Sequence, residues 1–158
     1  MPYIHLTIFI ASPAERVFNL SRSIDVHKDS MKKYQETIIN GMINGLMGLN
    51  DPVTWKARHF FKDRVMKVRI TEMKIPDFFV DEQVLGPFKM MKHEHYFKTI
   101  QNGTLMIDQF RYEGPKTILG KLAGTLFLEK YITRLLNERN EFIKKIAESN
   151  EWEKYLNK

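Results

Sequence analysis

The sequence predicts an α+β fold in which a curved, seven-stranded antiparallel sheet wraps around one long C-terminal helix. The middle of the chain alternates apolar and polar residues over several short runs, which is typical of strands with one buried face. Turn signals at hairpin spacing, such as Gly86-Pro87 and Asn102-Gly103, separate these runs. The last third carries apolar residues at the three-and-four spacing of an amphipathic helix.

The N-terminal third predicts one strand followed by two short helices. Residues Tyr3 to Ile10 are rich in β-forming side chains. Ser12-Pro13 then opens a first helix, and a second is expected from Asp25 to about Lys32. A second strand follows, up to about Met42, before a glycine-containing turn.

Five further strands are predicted between Val53 and Tyr112, and their alternation assigns most of the inward faces. The expected inward side chains are Val53, Trp55, Ala57, His59 and Phe61, then Met66, Val68 and Ile70, then Phe78, Val80, Glu82 and Val84, then Met91, His93, His95 and Phe97. The last strand runs from Thr104 to Tyr112. Its two faces, which carry Leu105 and Met106 respectively, cannot be ranked by pattern.

The C-terminal helix has one charged residue within its apolar stripe. The stripe consists of Leu128, Tyr131, Ile132, Leu135, Leu136, Phe142, Ile143 and Ile146. Arg139 lies where a Leu would be expected, which indicates a cavity rather than a solid core. A preceding stripe through Leu119, Leu122 and Leu126 points nearly the opposite way, and this predicts a break, a kink or a separate short helix near Gly124.

Length and composition favour a single cytoplasmic domain spanning residues 1–158. Cysteine is absent, which excludes disulfides and thiolate chemistry, and no apolar run approaches the length of a membrane span. The formal net charge of +6 comes from scattered Lys and Arg residues, so we expect no nucleic-acid partner. A transient contact with a membrane surface stays open, as does the oligomeric state.

Several stretches are similar to a known family. They are Ile10-Ala11-Ser12-Pro13 with Val17-Phe18 and Leu20, Gly48-Leu49 with Asp51, Val53-Thr54-Trp55 with Ala57-Arg58-His59-Phe60, Phe79-Val80-Asp81-Glu82, Gly86-Pro87-Phe88, and His93-Glu94-His95 with Phe97. In these the chain resembles the START-like, or SRPBCC, superfamily of the birch-pollen-allergen fold, and within it a group of small bacterial single-domain proteins. The resemblance runs from about residue 3 to residue 148. It implies a helix-grip fold with a deep cavity for an apolar or amphipathic small molecule, and no particular reaction.

Three histidines are candidates for the polar groups of that cavity. His93 and His95 stand two residues apart on one strand and therefore leave the same face, and His59 is predicted to face inward from another strand. Paired imidazoles at this spacing can ligate zinc. The strand of His59 should not neighbour that of His93, however, so we predict neither a metal nor a cofactor.

Glu82, Asp81 and Asp108 are the acidic candidates. A carboxylate that faces the cavity needs a partner, because an unpaired buried carboxylate is costly. Arg139, or one of the histidines, could provide it. The predicted ligand-binding set is therefore His59, Glu82, His93, His95, Asp108 and Arg139, with Trp55 and Met91 on the cavity wall.

Three classes of function remain open at this point. The first is a carrier that binds a lipid-like or polycyclic molecule. The second is a cyclase or dehydratase that uses His95 or His93 with Glu82 or Asp81 as an acid–base pair. The third is an interaction or membrane-surface module that uses the basic charge and the apolar segment Ile118–Phe127.

Overall fold

The computed structural model describes residues 1–114 and 122–157. Strand β1 (Tyr3–Ile10) is followed by helices α1 (Ala14–Ser21) and α2 (Ile24–Ser30) and by a short 3-10 turn (Lys32–Tyr34). The remaining strands are β2 (Thr37–Gly41), β3 (Pro52–His59), β4 (Lys62–Lys74), β5 (Phe78–Leu85), β6 (Met90–Ile100) and β7 (Gly103–Glu113). The long helix α3 (Leu122–Ala147) precedes a 3-10 turn (Asn150–Trp152) and a final helical turn, α4 (Glu153–Leu156).

The sheet has the predicted topology. Its seven strands follow the order β1-β7-β6-β5-β4-β3-β2, and all neighbours are antiparallel. Consecutive strands from β2 to β7 form a meander, whereas β1 pairs with β7 at the far edge. Register shifts interrupt β2 and β4, and such irregularities bend a sheet and increase its twist.

Helix α3 lies against the inner face of the sheet with the predicted apolar stripe. The buried residues of the stripe are Leu128, Ile132, Leu136, Ile143 and Ile146. Helix α1 fills the other part of the core, where the ring of Phe18 lies edge-on to those of Phe79 and Phe97, at centroid distances of 5.7 and 5.3 Å. No described helix is both long enough and apolar enough to cross a membrane.

The described part of helix α3 reaches six residues before Leu128, where the apolar stripe begins, and continues through Gly124. The break predicted near Gly124 is therefore not found after residue 122. The part of that prediction that concerns residues 115–121, including Leu119, lies outside the described residues.

Two predictions about inward-facing side chains are wrong, one at Phe61 and one on β5. Phe61 is expected to face inward at the end of a strand, but β3 ends at His59 and the Phe61 side chain is 93% exposed in a hairpin turn. On β5 the inward face carries Phe79 and Asp81, not Phe78 and Glu82, as the stacking of Phe79 on His95 of β6 shows. Both faces of β5 carry apolar residues, so alternation alone could not identify the inner one.

Candidate functional site

A cavity of about 290 Å³ lies between helix α3 and the inner face of the sheet. Most of its wall is apolar, and the side chains involved include Ile24, Met31, Val53, Trp55, Ala57, Met66, Val68, Ile70, Phe88, Met91, Phe110, Leu128, Ile132, Leu135 and Leu136. The wall is interrupted by a few polar side chains. One cluster of polar side chains lies on strands β5, β6 and β7, and other charged side chains of the wall, Arg22, Glu36 and Arg64, lie elsewhere.

The pairing of the three strands brings this cluster together. His93 and His95 leave the same face of β6 because they are two residues apart. Asp81 of β5 lies directly opposite His93, and Asp108 of β7 lies directly opposite His95. Residues directly opposite in neighbouring strands share a face of the sheet, so all four side chains meet on the inner side.

The two imidazoles form a compact network with the two carboxylates. Nε2 of His93 is 2.9 Å from Oδ1 of Asp108, and Nε2 of His95 is 2.8 Å from Oδ2 of Asp81. Nδ1 of His95 also lies 2.7 Å from Oδ1 of Asp108, a close ionic contact whose direction is unsuited to a hydrogen bond. The two imidazole centroids are only 3.7 Å apart.

Helix α3 completes the network from the opposite side of the core. Asn140 donates from Nδ2 to Oδ2 of Asp108 over 2.5 Å, and both side chains are almost fully buried. Its neighbour Arg139 lines the cavity, donates from Nη2 to the backbone oxygen of Ser21 over 2.8 Å, and donates from Nη1 to Oδ1 of Asn140 over 3.3 Å. The guanidinium therefore lies in the site with its charge close enough to stabilise ionised Asp81.

The surroundings shift the pKa values of the two histidines in opposite directions. Burial lowers the pKa of His93, and the neighbouring His95 lowers it further. Burial alone would also lower the pKa of His95, but the close carboxylates of Asp108 and Asp81 outweigh burial, so this pKa is raised. The same contacts overcome the effect of burial on the acids, lowering the pKa of Asp81 and holding that of Asp108 well below its ordinary value.

The charges of this site balance without any added group. Ionised Asp81 and Asp108 supply two negative charges, and Arg139 and the protonated form of His95, which its two carboxylate contacts favour, supply two positive charges. His93 remains neutral, with its Nε2 proton donated to Asp108. Burial of so many polar groups is tolerated because each ion is paired and bonded.

The same donor atoms have a spacing that could hold a metal ion. Asp81, His93 and His95 each offer one ligand atom, and these atoms all lie within 4.8 Å of one another. Two imidazoles and a carboxylate are ligands that zinc accepts. The third histidine considered from the sequence is not among them, because β3, which carries His59, is separated from β6 by two strands.

A second polar region of the wall lies on the side of β3. Nδ1 of His59 is 2.8 Å from the hydroxyl of Tyr131 on α3. The ring of Trp55 packs against that of His27 at 4.4 Å, and Nε2 of His27 is 2.7 Å from Oε2 of Glu36. Burial lowers the pKa of His59 and so favours its neutral form.

Most of the predicted ligand-binding residues lie at the cavity or in its polar cluster. His93, His95 and Arg139 line the wall, and Asp108 contacts the two histidines from behind. Trp55, Met91 and His59 also line the cavity. His59 lies away from the polar cluster, on strand β3. Glu82 is the exception, since it does not line the cavity and Asp81 takes the place predicted for it.

Sequence reasoning missed Asn140, His27 and Glu36. Asn140 follows Arg139 directly, so two consecutive polar residues beside the apolar stripe were the available signal. No pattern marked His27 or Glu36, because they lie in the short elements between β1 and β2, where periodicity extends over too few residues.

Comparison with solved structures finds the same architecture in several proteins. A protein of Thermus thermophilus superposes with a TM-score of 0.70 at 19% identity, covering 90% of this chain and 97% of that one. The KanY protein superposes with a TM-score of 0.71 at 14% identity, covering 94% and 100%. Ginseng major latex-like protein 151 from Panax ginseng gives 0.63 at 13% identity, covering 92% and 97%.

The chain has the helix-grip fold. At these sequence identities the similarity shows the fold alone and not the function. No protein-family model matches the sequence, and a comparison with curated proteins finds no match. What this helix-grip protein binds therefore has to be argued from its own cavity.

Proposed function

We propose that this protein binds an apolar or amphipathic small molecule in the cavity between the sheet and helix α3. The observation that carries the proposal is a mainly apolar cavity whose wall includes one buried, charge-balanced cluster of histidine and aspartate side chains. Small-molecule sites generally combine apolar walls with a few fixed polar groups that orient the ligand. The fold shared with ginseng major latex-like protein 151 is consistent with this reading.

The volume limits the size of the ligand. A cavity of about 290 Å³ is at the lower end of the roughly 300–1,000 Å³ that small-molecule sites occupy. A compact ring system or a short acyl chain would fit this space better than a two-chain lipid would. The ligand class we propose is therefore a small amphipathic molecule with one polar end.

The polar end would bind at His93 and Arg139. Because neutral His93 donates its Nε2 proton to Asp108, its Nδ1 carries a lone pair that can accept a hydrogen bond from a ligand hydroxyl. The guanidinium of Arg139 can donate to a ligand carbonyl or carboxylate. A hydroxyl and a carbonyl on one ligand would use both residues.

A cavity-blocking variant tests the proposal. Ala57 lies on the cavity wall, so Ala57→Phe should fill the space, abolish ligand binding and leave the fold intact. The matched control is Ala147→Phe, at a fully buried position outside the cavity wall, where overpacking should cost about 1–3 kcal/mol of unfolding free energy.

Native mass spectrometry of the purified protein provides the measurement. We expect an added mass of a small molecule on the natural protein and its loss in Ala57→Phe. Uptake of small amphipathic probes can be measured through the fluorescence of Trp55. If the natural protein carried no bound small molecule and also took up none of these probes, the proposal would be refuted. Strong destabilisation by Ala57→Phe would equally contradict an open cavity at this position.

A second candidate function is acid–base catalysis of the cyclase or dehydratase type. The observation that favours it is the pair of adjacent imidazoles whose pKa values are shifted in opposite directions. In a dehydration, His93 would accept a proton from the carbon next to a carbonyl. Protonated His95, acting through Asp81, would return one to the departing hydroxyl, which leaves as water.

Titration of the histidine resonances by NMR tests this candidate. We expect one imidazole to titrate above its ordinary range and its neighbour below it, and we expect His95→Gln to abolish the upper transition. If all five histidines titrated normally, the acid–base pair would not exist and the catalytic candidate would be lost.

A further inference from the structure

The hairpin between β3 and β4 has an unusual turn. His59 pairs with Lys62, so Phe60 and Phe61 are the two residues of the loop. Both have positive φ angles, 52° and 61°, as a two-residue hairpin of type I′ requires. Asn and Gly are the residues that adopt this conformation readily, and a bulky side chain in it is strained. Two consecutive phenylalanines are therefore a poor choice for stability.

The same two side chains also leave apolar surface in contact with solvent. Phe61 is 93% exposed and Phe60 is 41% exposed. Phe127 of helix α3 is 61% exposed, and its ring lies 5.6 Å from that of Phe60. We call these three exposed side chains, Phe60, Phe61 and Phe127, the aromatic tip. Exposed aromatic surface concentrated at one point generally marks a contact site.

Basic residues surround the aromatic tip. Between residues 56 and 64 the hairpin carries four cations, Lys56, Arg58, Lys62 and Arg64, and one carboxylate, Asp63. Asp63 lies 3.2 Å from Lys56 and 4.0 Å from Arg58. Within the part of the chain that the structure describes, neither Lys62 nor Arg64 forms an ion pair. The charge that remains beside the aromatic side chains is therefore positive.

The aromatic tip also adjoins the cavity. Phe60 and Arg64 belong to the cavity wall, and Phe60 is at the same time exposed to solvent. Its ring stacks on Tyr131 of α3 at 4.4 Å, and Tyr131 lines the cavity as well. The cavity thus reaches the surface where the exposed aromatic rings and the cations are concentrated.

We propose that the aromatic tip docks this protein reversibly onto an anionic lipid surface. Aromatic side chains would insert at the boundary between headgroups and acyl chains, and the hairpin cations would contact anionic headgroups. The strain at Phe60 and Phe61 is retained because the turn presents two adjacent rings to the bilayer. Docking would bring the cavity opening to the membrane, which extends the proposed function from binding to exchange of the ligand with a lipid phase.

Sedimentation with vesicles tests the proposal. We expect the natural protein to bind vesicles that contain phosphatidylglycerol, to bind pure phosphatidylcholine more weakly, and to be released by salt. Phe61→Ser should weaken the partitioning of the protein onto vesicles by about 10- to 100-fold, since one phenylalanine side chain that inserts into the bilayer is lost. Lys62→Gln should weaken it by about fivefold, as one cation near the surface is lost.

Ile43→Ser is the matched control for an exposed apolar side chain elsewhere. Ile43 is 67% exposed and follows β2 at the other end of β3, since Gly41 pairs with Val53. This variant should bind vesicles like the natural protein. Phe61→Gly provides a check on folding, because relief of the strained turn should raise Tm by about 2–4 °C while vesicle binding is lost.

Four results would overturn the proposal. The first three are no vesicle binding by the natural protein, equal losses of binding in Phe61→Ser and Ile43→Ser, and vesicle binding that does not depend on anionic lipid or salt. The fourth is a concentration-dependent dimer that Phe61→Ser dissociates, with no binding to vesicles. The last result would assign the tip to a second copy of the chain. Ala57→Phe separates this inference from the proposed function, because blocking the cavity should abolish ligand binding and leave vesicle binding unchanged.

Discussion

His93 and His95 lie with their ring centroids 3.7 Å apart on one face of β6, yet the pKa of His93 is lowered and that of His95 is raised. Asp108 contacts both rings, whereas Asp81 bonds to His95 alone. The second carboxylate explains the difference, because an imidazolium between two anions is favoured, whereas a second imidazolium directly beside it is disfavoured.

Asp108→Asn should destabilise the fold strongly. The substitution leaves protonated His95 with one anion in place of two, inside the core, and breaking a buried charge pair costs about 3–5 kcal/mol. Chemical denaturation gives the unfolding free energy. The control Asp63→Asn removes a half-exposed carboxylate and should change it by less than about 1 kcal/mol. Equal effects of the two substitutions would contradict the buried network.

The unfolding free energy should be greatest near pH 6.5, the ordinary pKa of a histidine. As pH rises from there through the raised pKa of folded His95, only the folded state still holds that proton, so stability is lost. As pH falls from 6.5, His93 takes up a proton in the unfolded state but not in the folded state, where its pKa is lowered, so stability is again lost. In stronger acid the lowered pKa of Asp108 adds a further loss.

Thermal unfolding measured across pH checks this profile. His95→Gln should flatten the alkaline side, whereas His5→Gln, at an exposed position, should leave the whole curve unchanged. An alkaline side that persists in His95→Gln would show that another group causes it.

Asn140→Leu should cost about 1–3 kcal/mol of unfolding free energy. The substitution keeps the volume but removes the donor to Oδ2 of Asp108, which leaves a buried acceptor without that partner. The matched control on the same helix is Asn137→Leu, at an exposed position. It should change the free energy by no more than about 0.5 kcal/mol. If Asn140→Leu were equally mild, the bond to Asp108 would not contribute.

Arg139→Met should raise the pKa of His93. The guanidinium supplies one of two positive charges beside Asp81 and Asp108, so its loss leaves an excess of negative charge that favours protonated imidazole. NMR titration should detect the shift. Arg134→Met, at a site 61% exposed on the same helix, should leave His93 unaffected. A downward shift in Arg139→Met would show that the guanidinium does not act on this cluster.

The sequence predicted most of the fold because its patterns were local. Alternation identified the inner faces of β4 and β6, and hence Ile70, His93 and His95, since these strands have one polar and one apolar face. It failed on β5, where Phe78 and Phe79 make both faces apolar. It failed also at Phe61, because a turn made of two phenylalanines has no glycine, asparagine or proline to mark it.

The connections within the site could not be predicted from the sequence. Which carboxylate meets which imidazole depends on the register of β5, β6 and β7, and a shift of one residue would move every side chain to the other face. Asp81 in place of Glu82 is the direct result. The contact from Asn140 to Asp108 depends on how helix α3 is set against the sheet, which no periodicity within the helix records.

The bond from Asn140 to Asp108, together with those from Arg139 to Ser21 and between Tyr131 and His59, holds helix α3 in one rotation about its axis. An apolar stripe of Leu and Ile packs almost equally well after a small rotation or a slide, because one aliphatic contact replaces another. Turning the helix by one residue would bring Arg139 towards Asp108 and point Asn140 away. These few polar bonds thus select one of several nearly equivalent packings, and with it the shape of the space beneath the helix.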